Sequence, residues 1–208
     1  MTQTTTRIDL VRHAESEMNL QAAALIGGRS NHTPLSPAGE AAALARGREL
    51  ASTGYRPDAI YSTNAIRSEA TARLLIEGAA WSLTPEVEDG LLELSQGASE
   101  GQPREQWWTP EAQAAVAADP LRHRLAPDGE NHEEVQARMR AALQRIAAGH
   151  SGGHVLAVGH GIAMRTLVWS LRGGSHADFR ALVLPNLAMV SFEVGNDIRL
   201  VDPAALIV

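Results

Sequence analysis

Apolar residues recur along the chain in two alternating rhythms. Ile8, Leu10 and Val11 mark a short strand from Arg7 to His13 that ends in polar residues. Met18 to Arg29 has no clear period and is broken by Gly27-Gly28. From Ser36 the rhythm turns helical. Ser36 reads as an N-cap, Pro37 as a first-turn residue, and Glu40 falls near N3. This helix is expected to reach about Ser52 and to bury Ala41, Leu44, Ala45 and Leu50. Asp58 to Ser62 predicts a second strand, Thr63 to Ile76 a second helix closed by Gly78, and Leu83 to Val87 a third strand. Glu88 to Pro110 is rich in Gly, Gln, Ser and Glu and reads as a long irregular segment, a feature more often functional than idle. Glu111 to Ala118 predicts a short helix and Leu121 to Asn131 a loop. Glu133 to Ala148 repeats Val135, Met139, Leu143 and Ile146 at helical spacing. His154 to Val158 is a buried strand, and Gly159-His160-Gly161 turns into a helix near Ile162 to Leu171. Leu187 to Val194 and Ile198 to Val201 predict a hairpin around Gly195-Asn196.

Strands alternating with helices imply an α/β fold with a mostly parallel sheet. The 208 residues fit one domain able to bury its own core, with no repeat or linker. In such sheets ligands bind beyond the carboxyl ends of the strands, so the residues that follow each strand are read together.

Composition narrows the chemistry. Eighteen basic against 24 acidic residues leave a net charge of −6, which argues against a nucleic-acid partner. No cysteine is present, which excludes thiolate catalysis, disulfides and cysteine-held zinc or iron–sulfur groups. There is also no lysine, so all 18 basic residues are arginines. That excludes a Schiff-base lysine and the phosphate-binding lysines of Walker-A and kinase sites. Any bound anion must be held by Arg, His or backbone N–H. No apolar run is long enough to span a bilayer, and the polar stretch Met1 to Thr6 lacks a signal-peptide core. The expectation is a soluble cytoplasmic protein with no membrane partner.

Three strand ends carry candidate chemistry. The first offers Arg12 and His13, then Glu15, Ser16 and Asn19; the second Ser62 and Arg67; the third Gly159 and His160. The irregular segment adds Glu93. If these ends converge, the pocket holds two Arg, two His and a carboxylate. Two guanidiniums suit a phosphoryl group, a neutral imidazole suits nucleophilic attack, and a carboxylic acid suits a leaving oxygen. A helix starting after Gly161 adds backbone donors. Neither a metal nor another cofactor is required, because Arg and His supply the positive charge.

Leu10-Val11-Arg12-His13-Ala14-Glu15-Ser16, followed by Asn19, resembles the L-V-R-H-G-E-[ST] signature of the histidine phosphatase superfamily, in its phosphoglycerate-mutase-like branch. Gly28-Arg29-Ser30, Thr33 to Ser36 and Gly39-Glu40 are similar to the segment before that family's first helix. Tyr61-Ser62 with Arg67 and Thr71-Ala72 resembles its second arginine motif. Leu92-Glu93 through Gly97 and Glu100-Gly101 resembles its acid loop, with Ser99 in place of the aromatic. Pro127-Asp128-Gly129-Glu130 and Val158-Gly159-His160-Gly161 match the remaining motifs. Five ordered motifs weigh far more than a lone Arg-His pair. The resemblance implies a three-layer α/β/α sandwich with a small cap inserted at about 93–131. It implies His13 as the nucleophile that becomes phosphohistidine. Arg12, Arg67 and His160 would clamp the phosphoryl group with Asn19 and the Gly161 helix start, and Glu93 would be general acid and then base.

Plainer readings stand beside these. Arg67 has Glu69 and Glu77 as possible ion-pair partners; Glu88, Asp89 and Glu100 compete with Glu93. Trp107 and Trp108 offer either a substrate platform or packing for the cap. Arg29, His32 and Arg104 are candidates for the substrate side of the pocket, with local turn structure as the alternative. The leading expectation is a metal-independent phosphomonoesterase acting on a phosphorylated small molecule. A phosphoglycerate-mutase-type phosphotransferase would need further cations over the pocket, and the proposed cap supplies few: Arg104, Arg122, Arg124 and His123. A non-catalytic module that binds a phosphorylated ligand is the third reading. A homodimer is left open by the apolar tail Ala204 to Val208.

Overall fold

The computed structural model describes residues 4–173 and 176–201. Its centre is a six-stranded sheet: β1 (Thr6–Arg12), β2 (Ala59–Ser62), β3 (Glu86–Val87), β4 (His154–Gly159), β5 (Met189–Val194) and β6 (Ile198–Leu200). The order is β3-β2-β4-β1-β5-β6. The first four neighbours in that order run parallel, whereas β5 pairs antiparallel with both β1 and β6. The tail Ala204 to Val208 lies outside the described residues.

Side-chain alternation assigns the two faces. Ile8, Leu10, Val155 and Ala157 face one way, beneath α6 (His132–Gly149) and α7 (Gly161–Arg172). Val11, Ile60, Leu156 and Val158 face the other way, beneath α2 (Pro37–Ser52) and α3 (Ile66–Ala79). Period-2 strands buried on both faces need apolar residues at successive positions, which is why β4 reads as a near-continuous apolar run; in β1 the run is interrupted by buried Asp9, which bonds Tyr55 and His154. The remaining helices are α1 (Glu17–Leu20), α4 (Arg104–Trp107), α5 (Pro110–Ala118) and α8 (His176–Ala181).

The predicted element starts hold where local chemistry sets them. Ser36 Oγ accepts from Gly39 N at 3.0 Å and Pro37 follows. Asn131 and Glu134 form a capping box at the head of α6, with bonds of 3.0 and 3.1 Å.

Two expectations are corrected. The buried residues of α2 are Gly39, Ala43, Gly47 and Leu50, while Ala41 and Ala45 are exposed and Leu44 is half-buried. Gly78 lies inside α3, which closes instead at Ala80 in the left-handed region (φ 53°). Both have one cause. A Cβ at Gly47 would sit 2.4 Å from the Leu75 carbonyl oxygen, and one at Gly78 2.1 Å from that of Leu44. The two helices touch backbone to backbone, so glycines mark the contact where apolar side chains were expected. The third strand is also shorter than Leu83 to Val87. Only Glu86–Val87 pairs, with Tyr61 and Ser62.

Candidate active site

Parallel pairing of β1 with β4 sets Arg12 opposite Gly159. The next residue on each strand is a histidine, and the rings of His13 and His160 lie 5.2 Å apart. The same strand ends lie beside the β1–β5 neighbour, where pairing changes from parallel to antiparallel. Arg67, in the first turn of α3, enters from the other side of the sheet. Its Nε lies 3.3 Å from His13 Nε2, its Nη2 3.1 Å from His160 Nδ1, and its Nη1 donates to the Ser30 carbonyl at 2.9 Å. All three side chains are buried. Arg67 therefore does not pair with Glu69, which instead meets Arg73.

Hydrogen bonds fix the ring states. His13 Nδ1 is 2.7 Å from its acceptor, the Ala14 carbonyl. The carbonyl requires N–H there, which leaves Nε2 as the lone pair facing Arg67. Burial, and then the charge of Arg67, hold the His13 imidazole down to a pKa of about 3. His160 is likewise held well below the usual range, first by burial and then by Arg67. Its Nε2 lies 2.9 Å from Thr63 Oγ1. Both rings are neutral at neutral pH.

Arg12 closes the group. Its Nη1 donates to the Leu184 carbonyl at 2.6 Å, while its Nε is buried without a partner. The side chain lies on the head of α7, where a Cβ at Gly161 would fall 3.0 Å from that Nε. An unpaired buried donor beside a helix N-terminus suits an anion.

Glu93 is buried under the same helix. Its Oε1 accepts from Leu94 N and Ala163 N at 2.9 and 2.8 Å, and its Oε2 from Ile162 N at 3.0 Å. Among the four carboxylates of 88–100, Glu93 is the one that lines the cavity. Glu88 pairs with Arg145 and Asp89 binds Asn64. Glu100 accepts from Arg29 N, Ser30 N and Gln96 N, shaping the turn that offers the Ser30 carbonyl to Arg67.

These groups open into a cavity of about 510 Å³. Asn19 lines it, its Oδ1 accepting from Ser16 N and Asn186 Nδ2. Arg104 lines it too, with donors committed to the Ala22 and Leu25 carbonyls. Trp108, the residue that follows α4, is in the wall, and Trp107, the last residue of α4, is not. Arg29 and His32 also stand outside it. Arg29 pairs with Glu130 at 3.2 Å and His32 is exposed.

Sequence reading missed several contributors. Asn186 holds the His13 carbonyl at 2.9 Å, and Arg138 holds the carbonyls of Gly90, Leu92 and Glu93. Neither has a local signal, since each acts across at least 45 residues. Arg165 and Arg180 also line the cavity. Arg165 had a readable cue: it follows Gly161 by four residues, which places both on one helix face.

Among the described residues, no group of three or more His, Asp or Glu side chains could hold a metal ion, and no helix is long and apolar enough to cross a membrane.

Fold and site together define a phosphoryl-transfer enzyme. The chain belongs to the histidine phosphatase superfamily (branch 1), whose family model matches residues 8–202. It is 31% identical over 172 residues to a Salmonella arizonae protein named probable phosphoglycerate mutase GpmB, covering 80% of this chain and 75% of that one. A 2,3-bisphosphoglycerate-dependent phosphoglycerate mutase from Methylobacterium radiotolerans is 31% identical over 179 residues, covering 81% and 80%. Among solved structures, mycobacterial glucosyl-3-phosphoglycerate phosphatase superposes with a TM-score of 0.77 at 25% identity, covering 95% and 97%.

Proposed function

We propose that the protein is a phosphomonoesterase that hydrolyses a phosphorylated small molecule through phosphohistidine on His13. The observation that carries this reading is the 2.7 Å contact between His13 Nδ1 and the Ala14 carbonyl, which leaves Nε2 unprotonated within the arginine cradle. Arg12 and Arg67 bind the phosphoryl oxygens, and the backbone at the head of α7 adds partial positive charge. Nε2 attacks phosphorus, forming the N–P bond as the P–O ester bond breaks. The Ala14 carbonyl stabilises the positive charge that develops on the ring. Glu93 protonates the leaving oxygen. Its Oε2 accepts one hydrogen bond, against two at Oε1, and so has the lone pair free to carry that proton. Water then attacks phosphorus, Glu93 takes the water proton, and His13 is regenerated.

The cradle's positive charge does the work a magnesium ion does in other phosphoryl-transfer sites. Phosphate release from a panel of phosphomonoesters is therefore expected to persist in a chelator. Release that requires added metal overturns this mechanism. Mutase-type transfer is the second reading, favoured by the names of the curated relatives. Two of the cap cations counted for it are committed elsewhere: Arg122 pairs with Glu133 and Arg124 with Glu134. Isotope-labelled phosphate recovered on a second acceptor, instead of free in solution, would favour the mutase.

Glu93→Gln keeps the shape and loses the proton relay. Turnover of esters with poor leaving groups is expected to fall by about 10²–10⁴-fold. p-Nitrophenyl phosphate, whose leaving oxygen needs less protonation, should lose less in the phosphorylation step. Equal losses in that step for both ester classes, read by rapid quench, would remove the acid role.

Gly161→Ala tests the cradle from the backbone side. Alanine favours the helix by up to ~1 kcal/mol, so Tm should hold or rise. The new methyl presses on Arg12 by a few tenths of an ångström, and kcat/KM is expected to fall about tenfold. Unchanged kinetics in this variant would argue that Arg12 does not meet the phosphoryl group.

A further inference from the structure

His160 has one proton to place, and either ring nitrogen could carry it. The ring is fully buried and neutral, so it holds a single N–H. Its Nδ1 lies 3.1 Å from Arg67 Nη2, on the side of the phosphoryl cradle, and its Nε2 lies 2.9 Å from Thr63 Oγ1. His13 has no such choice, because the Ala14 carbonyl beside its Nδ1 only accepts. A hydroxyl both donates and accepts, so Thr63 can serve either form of the His160 ring.

Thr63 is buried and held in place. Its N–H donates to Ser68 Oγ at 3.1 Å, and that hydroxyl donates to the Val158 carbonyl at 3.0 Å, two residues before His160. One serine thus ties down both residues. Among the described residues Thr63 Oγ1 has one further partner, the Ala65 N–H, which donates at a long 3.4 Å. The hydrogens can then be counted. If the ring proton is on Nε2, Oγ1 accepts from His160 and Ala65, and its own hydrogen is buried with no acceptor. Nδ1 then turns a lone pair toward the cradle, where an anionic phosphoryl oxygen repels it. If the proton is on Nδ1, the Thr63 hydroxyl donates to Nε2 and accepts from Ala65. Nδ1–H then points at the phosphoryl oxygen that Arg67 also binds. With a phosphoryl group bound, the second arrangement alone leaves each of these buried groups paired, and an unpaired one is costly.

We propose that Thr63 is a positioning residue: with a phosphoryl group bound, its hydroxyl donates to His160 Nε2 and so fixes the ring proton on Nδ1, which donates to the phosphoryl oxygen. This rests on the phosphomonoester reading above. Thr63 touches no reacting atom and acts through His160. The two site histidines then carry their protons on Nδ1 to opposite ends. His13 turns its N–H away from phosphorus and presents a lone pair, whereas His160 presents its N–H. One neighbouring oxygen sets each role. The two hydrogen bonds through the His160 ring polarise each other, so its donor strengthens as charge builds on the phosphoryl oxygens.

Ring-nitrogen NMR reads the proton directly, on full-length histidine-labelled protein saturated with inorganic phosphate and with the His160 signals assigned through His160→Gln. The proton is expected on Nδ1, with Nε2 unprotonated and hydrogen-bonded. Thr63→Val keeps the shape and removes the hydroxyl. It is expected to move the Nε2 resonance and to lower kcat about tenfold, the lower end of what a hydrogen bond to a charged group contributes, with a smaller change in KM. Thr63→Ser restores the hydroxyl and should return both readouts toward the wild type. A proton on Nε2 in the phosphate-bound wild type, wild-type kcat in Thr63→Val, or a Thr63→Ser variant as slow as Thr63→Val overturns the proposal. The wild-type spectrum decides it even where Thr63→Val fails to fold. Phosphate that perturbs neither His13 nor His160 overturns it together with the phosphoryl cradle. Absent phosphate release by the wild-type protein, with the proton on Nδ1 in the phosphate complex, sinks the hydrolase reading and leaves the role of Thr63 standing.

Discussion

Replacing His13 by alanine is expected to lower phosphomonoester turnover by about 10⁴-fold or more, as loss of a covalent nucleophile does when no neighbour replaces it. His160 cannot substitute. Its Nδ1 faces Arg67 and its Nε2 faces Thr63, and the ring is fully buried. Acid-labile, base-stable label on the wild-type protein after a rapid quench with labelled substrate, absent from the variant, would identify the phosphohistidine. Turnover retained in the variant would eliminate the covalent mechanism. The same substitution has a signed effect on stability. The folded pKa of His13, about 3, lies below its ordinary value of 6.5. Below pH 6.5 the unfolded chain takes up a proton that the folded protein refuses, so His13 costs stability progressively as pH falls toward 3. His13→Ala should therefore melt closer to, or further above, the wild type at pH 5 than at pH 7.5. A difference in Tm that does not change with pH would contradict the depressed pKa.

Arg67→Gln is expected to cost about 10³-fold in kcat, the upper range for removing one preorganised donor from a charged transition state. Arg67 joins three parts of the site, since its guanidinium meets His13, His160 and the Ser30 carbonyl. Its loss should also raise the pKa of His13, because the Arg67 charge opposes imidazolium formation, although burial remains the larger cause. Ring-nitrogen chemical shifts of His13, followed by NMR against pH, would read this directly. The residual activity should then fall at low pH at a higher midpoint than in the wild-type protein. An unmoved His13 titration would mean that burial alone sets it.

Legibility in the sequence followed the range of the interaction. Ser36-Pro37 announced its helix because a cap bonds within three residues of itself; the Asn131 capping box is equally local and was there to be read, although the sequence reading ends a loop at that residue. Arg12-His13 and Gly159-His160 were visible as strand ends, and the parallel register then placed them side by side. Glu93 was distinguishable from Glu88 and Asp89 only through motif order. What separates them in space is the head of α7, 68 residues away from Glu93 in the chain, whose N–H groups bind that carboxylate. Trp107 and Trp108 are adjacent, and no local rule says which of the two meets the cavity.

The sequence alone determined the alternation of strands and helices, the capped start of α2, and the two histidines and Arg12 at strand ends with Arg67 a helical turn beyond one. These depend on periodicity and on contacts a few residues apart. It also excluded lysine and cysteine chemistry outright. Only the tertiary structure decided that α2 and α3 meet through Gly47 and Gly78, that Asn186 and Arg138 brace the site, and that Arg165 lines the cavity with its Nε buried and unpartnered. Each of these is a pairing between distant segments, set by how close two backbones approach and by which polar atoms burial leaves without a partner.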